Sequence, residues 1–330
     1  MTSIHKTVLL NETIEGLNLP ASPSLGGQNN SSATSVVIDC TFGGGGHSLE
    51  ICKRYPNVKI IALDQDKGAF IKAKDKFKDL NCDIDFVNLN FKDLDKVFPK
   101  SDLGEKVDGI IFDLGLSSDQ LENSGRGFSF MKNEPLLMTM KENPLPEDVT
   151  ALDVVNGWSE KSLADIIYGY GEERYSRRIA KAIVDARQKT EIKTTAELVK
   201  IIENAVPAGY KRGHAKGRAN RIHYATKTFQ ALRIAVNDEL GVLKIGLEKG
   251  FKVLKKGGRM SVISFHSLED RIVKKFYKEI EREGFAKLIN KKPITATKEE
   301  IKNNPRSRSA KLRILEKTHA TAGQVKLCQK

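Results

Sequence analysis

Three aspartates stand at the ends of short apolar runs, and one of them leads into four consecutive glycines. Asp39 ends the first run and precedes glycines 43–46, while Asp64 and Asp113 end two later runs. Glycines let backbone approach a ligand where a Cβ would collide, and the start of the next helix offers free N–H groups. Asp64, 21 residues after Gly43, suits hydrogen bonds to ribose hydroxyls. The pattern predicts a site for a nucleoside-containing cofactor.

The charges around the glycines bear on which cofactor this is. A dinucleotide fingerprint expects G-x-G-x-x-G, but position 48 is Ser, and Asp39 would repel a pyrophosphate. S-adenosyl-L-methionine carries an ammonium and a sulfonium, so charge favours it over NAD. An NAD-dependent oxidoreductase stays an alternative that equilibrium binding of both cofactors would separate. A glycine turn that only packs helix on strand is the structural alternative.

Asp113 opens the segment Asp113-Leu114-Gly115-Leu116-Ser117-Ser118. Methyl transfer from a sulfonium needs the nucleophile held at roughly 3 Å from the methyl carbon, which is worth on the order of 7–11 kcal/mol. Asp113 is the first candidate to accept hydrogen from an amino nucleophile, with a role in cofactor binding alone equally weighted, and Ser117 is the second.

Two enzyme classes lack their required residues. No cysteine lies between Cys82 and Cys328, so the nucleophile of a C5-pyrimidine methylase is missing near this strand. No two of the ten prolines are adjacent, so the [DNS]-P-P-[YFW] cassette of amino-directed DNA methylases is missing too. We therefore expect no DNA substrate.

The elements that must position these residues follow a β/α rhythm. Apolar runs at residues 36–39, 59–64, 85–88 and 109–114 predict four strands covered on both faces. Helical patterns at 162–168, 172–187 and 195–205 follow, with no such strand between about 117 and 228. Strand character returns at 259–265 and 311–315. This predicts an α/β domain interrupted by a helical insert, with boundaries at 1–117, 118–228 and 229–330.

Length, charge and cysteines bound the class of protein. The 330 residues carry 55 basic and 42 acidic side chains, a net charge of +13, with 39% hydrophobic residues, enough for a sizeable core. No apolar run is long enough for a membrane span, and residues 1–6 lack a signal-peptide core. Four cysteines without C-x-x-C spacing predict a reduced, cytoplasmic protein. Uncharged residues 18–35 predict a flexible surface loop, with a recognition loop as the alternative.

Basic residues cluster twice, which favours RNA as partner. Residues 207–236 contain no acid, and aromatic and histidine rings are interleaved with the basic side chains. Such a mixture suits contacts to a phosphate backbone and base stacking; a solvated loop is the alternative. The basic residues of this stretch are Lys211, Arg212, Lys216, Arg218, Arg221, Lys227 and Arg233. The second cluster comprises Arg306, Arg308, Lys311 and Arg313.

Ordered motifs along nearly the whole chain make it resemble a known family. They are residues 8–12 (V-L-L-N-E), 41–48 (T-F-G-G-G-G-H-S), 113–118 (D-L-G-L-S-S), 126–130 (R-G-F-S-F), 170–174 (Y-G-E-E-R), 228–234 (T-F-Q-A-L-R-I), 264–271 (S-F-H-S-L-E-D-R) and 304–309 (N-P-R-S-R-S). The chain resembles the MraW/RsmH-type bacterial methyltransferases, which methylate cytosine N4 of a decoding-centre cytidine in 16S rRNA. A non-enzymatic ribosome-assembly factor is the second alternative.

The resemblance implies a fold and a set of site residues. The family fold is a class I S-adenosylmethionine-dependent methyltransferase, a Rossmann-like, mostly parallel seven-stranded sheet with a helical domain inserted after strand four. The family's cofactor contacts fall here on Gly45, Gly46, His47, Asp64, Phe91, Asp113 and Gln120. The implied partner is 16S rRNA within the small ribosomal subunit, and neither a membrane nor DNA is expected.

Three features stay open at this level. The usual P-L-D-M-R-M-D segment reads Pro135-Leu136-Leu137-Met138-Thr139-Met140-Lys141, which loses two acids and an arginine. His266 is a candidate catalytic residue, with a structural or stacking role slightly favoured, and Ser267 with Asp270 is a plausible capping box. The six histidines show no H-E-x-x-H pairing, so no metal site is predicted.

Overall fold

The computed structural model describes residues 6–20, 35–80, 82–98, 106–215 and 223–319, with backbone only for 212–215. These fall into two compact units: Met1–Gly115 with Leu240–Lys330, called the sheet unit, and Leu116–Glu239, called the helical insert. The second boundary differs from the predicted 228/229. The helix Thr226–Asn237 packs in the insert because Phe229, Ala231 and Leu232 are buried in its core.

The sheet unit alternates strands and helices up to the insert and after it. Before the insert it contains α1 (Leu10–Leu17), β1 (Ser35–Asp39), α2 (Gly46–Arg54), β2 (Val58–Asp64), α3 (Lys67–Ala73), β3 (Asp83–Asn88) and β4 (Val107–Asp113). The insert contains α4 (Ser118–Asn123), α5 (Ala151–Gly157), α6 (Glu160–Gly169), α7 (Ser176–Arg187), α8 (Thr195–Ala205), α9 (Ala208–Ala215) and α10 (Thr226–Asn237). Then follow α11 (Glu239–Val253), β5 (Leu254–Ser264), α12 (Ser267–Arg282), β6 (Ala286–Leu288), β7 (Ile294–Thr295), α13 (Lys298–Asn303) and β8 (Lys311–Lys317).

The sheet has the order β3-β2-β1-β4-β5-β8-β6, with β7 paired to β8 beside this path. Strands β1 to β5 are parallel, and β8 runs antiparallel to β5. This is the predicted Rossmann-like, mostly parallel sheet, with one described strand more than the predicted seven. The order reverses at β1 and β4, so their carboxyl ends border the crevice where ligands bind in such folds.

The central strands alternate their side chains between two cores. Ile38, Ile61 and Ile110 are buried on one face with α11 and α12, while Val37 and Ile60 are buried on the other with α1 and α2. Burial on both faces explains why these strands are continuous apolar runs. Among the described residues no helix is long and apolar enough to cross a membrane.

Most predicted elements are present, with shifted ends. In the insert, α8 occupies the predicted range and begins with a Thr194–Glu197 capping box. By contrast, α7 begins only at Ser176, because Glu172 has a left-handed backbone (φ 49°). The expectation that all cysteines are reduced was wrong: Cys52 of α2 and Cys82, just before β3, form a disulfide. Of the 18–35 loop, residues 21–34 lie outside the described residues.

Candidate active site

The carboxyl ends of β1, β2 and β4 bring the three predicted aspartates to one edge of the sheet. Asp39 ends β1, Asp64 ends β2 and Asp113 ends β4, and β1 is hydrogen-bonded to both other strands. Three carboxylates at one edge make the site strongly acidic. The predicted convergence is therefore present within the sheet unit.

The Asp39 carboxylate accepts hydrogen bonds from residues on either side of the glycines. Its Oδ1 accepts from the Thr41 backbone N–H at 3.2 Å, and its Oδ2 accepts from the Ser48 hydroxyl at 2.7 Å. Burial raises the pKa of Asp39 to about 6, and these two hydrogen bonds oppose that rise. Ser48 thus has a structural reason to stand where a dinucleotide fingerprint has glycine.

Both carboxylate oxygens of Asp64 also accept hydrogen bonds, in this case from backbone N–H groups. Oδ2 accepts from the Gly43 N–H at 2.8 Å and Oδ1 from the Asp66 N–H at 2.9 Å. Burial raises its pKa to about 6. A carboxylate oxygen has a second lone pair, so ribose hydroxyls can still donate to Asp64 while it holds the glycine loop in place.

Asp113 differs from both. Among the described residues its Oδ1 is buried without a hydrogen-bond partner, and its Oδ2 lies 3.7 Å from His47 Nδ1. Burial, followed by the negative charges of Asp39 and Glu269, raises the pKa of Asp113 to about 8, although 22% of the side chain remains exposed. An unsatisfied buried carboxyl oxygen is costly without a partner, so this oxygen is a ready acceptor for a cationic or N–H ligand.

The glycine loop is shaped by its neighbours as well as for a ligand. Gly45 has φ +73°, and a Cβ there would lie 2.6 Å from the Phe42 ring. At Gly46 a Cβ would lie 1.8 Å from Thr7 Oγ1. Part of the need for glycine therefore comes from the chain's own packing, in line with the structural alternative, although the contacts are with Phe42 and Thr7.

Two further predicted cofactor residues stand near these strand ends. His47 is the second residue of α2 and is buried, with 4% of its surface exposed. Phe91 follows β3, and its ring packs edge-on against Phe112 at 5.3 Å between centroids. A Cβ on Gly246 would meet the Phe91 ring at 2.6 Å, so α11 approaches this ring closely. The Phe91 ring is consequently fixed in orientation, as a flat wall for an adenine needs to be.

His266 caps a helix. Its Nδ1 accepts from the Glu269 backbone N–H at 3.4 Å, and its Nε2 lies 3.1 Å from Glu269 Oε1. Glu269 Oε2 in turn accepts from the Phe265 and His266 N–H groups, so the capping box of α12 is His266–Glu269. The expected Ser267–Asp270 box was wrong. This geometry favours the structural role of His266.

Glu269 is the residue that the sequence analysis missed. Glu269 belongs to the motif 264–271. Its neighbours in the sequence do not show whether it only caps a helix or also places a negative charge near Asp113, at the end of a distant strand. Thr41 was also missed: its Oγ1 accepts from the Asp113 backbone N–H at 2.6 Å. A hydroxyl residue opening a glycine loop is the signal that could have found it.

The insert carries the remaining two of the predicted catalytic and cofactor-binding residues. Ser117 and Gln120 form a reciprocal capping box at the start of α4: Ser117 Oγ accepts from the Gln120 N–H, and Gln120 Oε1 from the Ser117 N–H, each at 3.1 Å. The Ser117 hydroxyl keeps its own proton for donation. Each residue therefore fixes the orientation of the other.

The altered segment 135–141 is part of the insert's packing. Leu136, Met138 and Thr139 are buried, and the buried Arg126 donates to the Thr139 and Met140 carbonyls at 3.3 and 2.9 Å. Lys141 is exposed and pairs with Asp148. In this chain the segment contributes core contacts and backbone acceptors.

The predicted RNA-binding residues differ in their surroundings. Arg306 and Arg308 are exposed on the turn Pro305–Ser309, and Lys227 Nζ donates to the Glu172 carbonyl at 2.7 Å. Lys211 lies on α9, partly exposed. The side chain of Arg212, and all of Lys216, Arg218 and Arg221, lie outside what the structure describes.

Three other basic residues are engaged inside the protein. Arg233 makes two hydrogen bonds to Glu239, at 2.8 and 2.9 Å. The buried Arg313 donates to Asp270 at 2.7 Å, and Lys311 donates to the same carboxylate at 3.4 Å. Arg313 was therefore wrongly grouped with a phosphate-binding surface.

Comparison with known proteins gives similarity along nearly the whole chain. Residues 2–318 match the family described as "MraW methylase family". "Ribosomal RNA small subunit methyltransferase H" of Clostridium botulinum (strain Kyoto / Type A2) is 44% identical over 329 residues, covering 95% of this chain and 98% of its own. The protein of that name from Persephonella marina is 47% identical over 278 residues, covering 84% and 91%. A solved rRNA methylase from Streptococcus thermophilus aligns with a TM-score of 0.39 and 11% identity, over 87% of this chain and 88% of its own.

Proposed function

The chain belongs to the MraW methylase family, and on that premise we propose that it methylates N4 of a decoding-centre (P-site) cytidine in 16S rRNA of the small ribosomal subunit, using S-adenosyl-L-methionine. The predicted family and enzyme class are confirmed, which sets the oxidoreductase alternative aside. The carrying observation is the Asp113 carboxyl, whose Oδ1 is buried without a described partner beside the glycine loop. The relatives' name supports small-subunit ribosomal RNA as the substrate, while N4 of a decoding-centre cytidine is the target that the sequence resemblance implies. A cytoplasmic site of action is proposed together with that substrate.

The acidic strand ends fit a cationic methyl donor. S-adenosyl-L-methionine supplies a methyl carbon on a positively charged sulfur and carries an ammonium. Asp39 and Asp64 hold the loop with hydrogen bonds to Thr41 and Gly43, and Asp113 contributes an acceptor without a described partner. Gly45, Gly46 and His47 form the loop-to-helix edge of this site, and Phe91 offers a ring for adenine. Gln120, in the insert, is proposed as a donor contact because the resemblance implies it.

Asp113 is also proposed to accept the proton that N4 must lose. With a positive charge bound nearby, the Asp113 carboxyl is held ionised. Methyl transfer would move the positive charge from the donor's sulfur onto N4, which makes the N4 proton acidic. Asp113 would then accept this proton, because the burial and like charges that raise its pKa to about 8 favour the protonated carboxyl. This places donor binding and proton acceptance on one residue.

Ser117 and His266 have supporting roles in this proposal. Ser117 follows Asp113 by four residues. Its hydroxyl oxygen already accepts a hydrogen bond from the Gln120 N–H, so the hydroxyl proton can be donated to the target nucleobase. Both ring nitrogens of His266 face Glu269. His266 is accordingly a positioning residue, and His266→Ala should reduce turnover less than Asp113→Asn does.

The RNA is proposed to contact the basic residues of the insert and the exposed arginines of the turn Pro305–Ser309. Lys211, Lys227, Arg306 and Arg308 are described there, and the sequence adds Arg212, Lys216, Arg218 and Arg221. Phosphate contacts release counterions, so affinity falls with salt by a log–log slope of about 0.7 per contact for single strands. Neutralising the basic residues 211–221 should weaken binding and flatten this slope, and an unchanged slope would refute the assignment.

The deciding experiment measures the product. The purified full chain is incubated with methyl-labelled S-adenosyl-L-methionine and immature small subunits, and the RNA is digested to nucleosides. We expect label in N4-methylcytidine, and little with Asp113→Asn. Label in another nucleoside, or RNA binding without methyl transfer, would contradict the proposal; the latter outcome would favour an assembly factor.

A further inference from the structure

A group of rings at the surface of the insert has no part in the proposed donor site. The Phe130 and His223 rings stack at 4.7 Å between centroids and 10° between planes. His223 also lies 4.0 Å from the Tyr224 ring, and Phe130 meets Phe229 edge-on at 5.6 Å. We call Phe130, His223 and Tyr224 the ring cluster.

The ring cluster is anchored inside and accessible outside. Phe229, on α10, is buried in the insert core with 4% of its surface exposed, which fixes the Phe130 ring. Phe130, His223 and Tyr224 are each partly exposed. Met131, which follows Phe130 in the chain, is 79% exposed. A contiguous set of exposed apolar and aromatic groups is a feature of binding surfaces.

The tyrosine of α9 is excluded from the same role. The Tyr210 hydroxyl donates to Glu173 at 2.8 Å, and the Tyr210 ring packs against Tyr175 and under the Arg174 guanidinium. These contacts tie the start of α9 to the turn before α7. Tyr210 is therefore a packing residue, although it lies in the same acid-free stretch, residues 207–236, as His223 and Tyr224.

The charge of the adjoining sequence indicates the occupant. Two members of the ring cluster, His223 and Tyr224, belong to the acid-free stretch 207–236, whose sequence has seven basic residues. Among the described ones, Lys227 is partly exposed, whereas Arg233 is paired with Glu239. A polyanion with flat aromatic groups matches both properties, since bases stack on aromatic side chains while phosphates meet lysine and arginine. An apolar protein surface would match the rings but not the charge.

We propose that the Phe130–His223–Tyr224 ring cluster is a stacking site for an unpaired nucleobase of the RNA substrate. This rests on the proposed function for its RNA partner, and adds the site and the conformation of RNA that it takes. Single-stranded RNA exposes base faces, whereas paired bases keep theirs stacked. The substrate should therefore be bound with at least one base outside any helix.

The test uses a short single-stranded RNA in which one adenine is replaced by the fluorescent analogue 2-aminopurine, whose emission falls on stacking. The full-length protein should quench the probe. Phe130→Leu keeps an apolar side chain but removes the ring, so it should weaken binding by about 5- to 10-fold, the low end of the stacking contribution, and abolish the quenching. The salt slope should not change, because no charge is removed.

Matched variants separate stacking from folding and from charge. Tyr168→Leu removes a ring of the same insert that is 67% exposed and outside the cluster, and it should bind and quench as the parent does. Tyr224→Leu is the second cluster variant, should Phe130→Leu unfold. Lys227→Gln should lower the salt slope while leaving the quenching of the bound probe.

The outcomes distinguish this proposal from the function on which it rests. If folded Phe130→Leu and Tyr224→Leu bind and quench like the parent while methyl transfer is intact, the stacking site is wrong and the methyltransferase function stands. Absence of quenching by the parent protein would also contradict the stacking site. Absence of N4-methylcytidine contradicts the proposed function even where quenching is seen.

Discussion

Binding of the methyl donor should release a proton from Asp113, which makes donor affinity depend on pH. In the free protein, burial and the charges of Asp39 and Glu269 raise the pKa of Asp113 to about 8. A bound cation favours the carboxylate, so the donor must displace the proton. The pH range that reports on Asp113 lies above about 6, the pKa of both Asp39 and Asp64.

The size of the effect follows from the ionised fraction. With a pKa of about 8, the carboxylate fraction rises from about 3% at pH 6.5 to about 75% at pH 8.5. If the donor binds only the carboxylate form, its affinity rises by roughly 25-fold over that interval. At pH 7, close to one proton should be released for each donor bound, since about nine molecules in ten carry it beforehand.

Calorimetric titration in buffers of different ionisation enthalpy measures both quantities. Asp113→Asn should bind more weakly and release close to one proton fewer at pH 7, and comparison with the parent protein cancels any titration of the ligand itself. The free protein carries a linked signature: an acid with a raised pKa binds its proton more tightly when folded, so stability should fall as pH rises from about 4 to 8. Equal proton release by parent and variant would refute the reasoning.

Three further predictions concern the surroundings of the site. Lys317 is fully buried, and its Nζ donates to carbonyls at the end of α11 and the start of β5, with distances from 2.7 Å; Lys317→Met should lower the free energy of unfolding by about 2–4 kcal/mol in urea titrations, since it leaves those carbonyls unpaired. Reducing the Cys52–Cys82 disulfide, which closes a 30-residue separation, should cost about 3–4 kcal/mol, and the doubly substituted serine variant should show no response to reductant. Gly46→Ala places a Cβ 1.8 Å from Thr7 Oγ1, so stability and donor affinity should fall with an overpacking cost of about 1–3 kcal/mol; the added change Thr7→Ala should restore part of both.

The features that were predictable are those that local pattern determines. Continuous apolar runs located β1, β2 and β4, since strands buried on both faces need such residues. The same runs placed Asp39, Asp64 and Asp113 at one edge, because parallel neighbouring strands end together. Position along a strand is thus sufficient to predict which acids converge.

The features that were missed depend on contacts between distant parts of the chain. β6 and β7 have three and two residues, too few for a periodicity to show. The Leu9 N–H donates to Glu300 across 291 residues, and no local signal predicts such a pair. The predicted insert boundary at 228 failed similarly, because α10 continues the helical pattern and only packing assigns it to a unit.

The different roles of the three aspartates also depend on contacts between distant parts of the chain. All three aspartates end strands, yet both oxygens of Asp39 accept hydrogen bonds from residues that flank the glycines. Those of Asp64 accept from the backbone of Gly43 and Asp66. Carboxylates that accept hydrogen bonds from a loop hold that loop in shape, so protonating them would weaken the fold. Asp113 has one oxygen with no described partner, and Asp39 and Glu269 act on it as like charges. It is therefore the acid whose protonation can follow the charge of a bound molecule, and that property arises from the residues around Asp113, two of which are far from it in sequence.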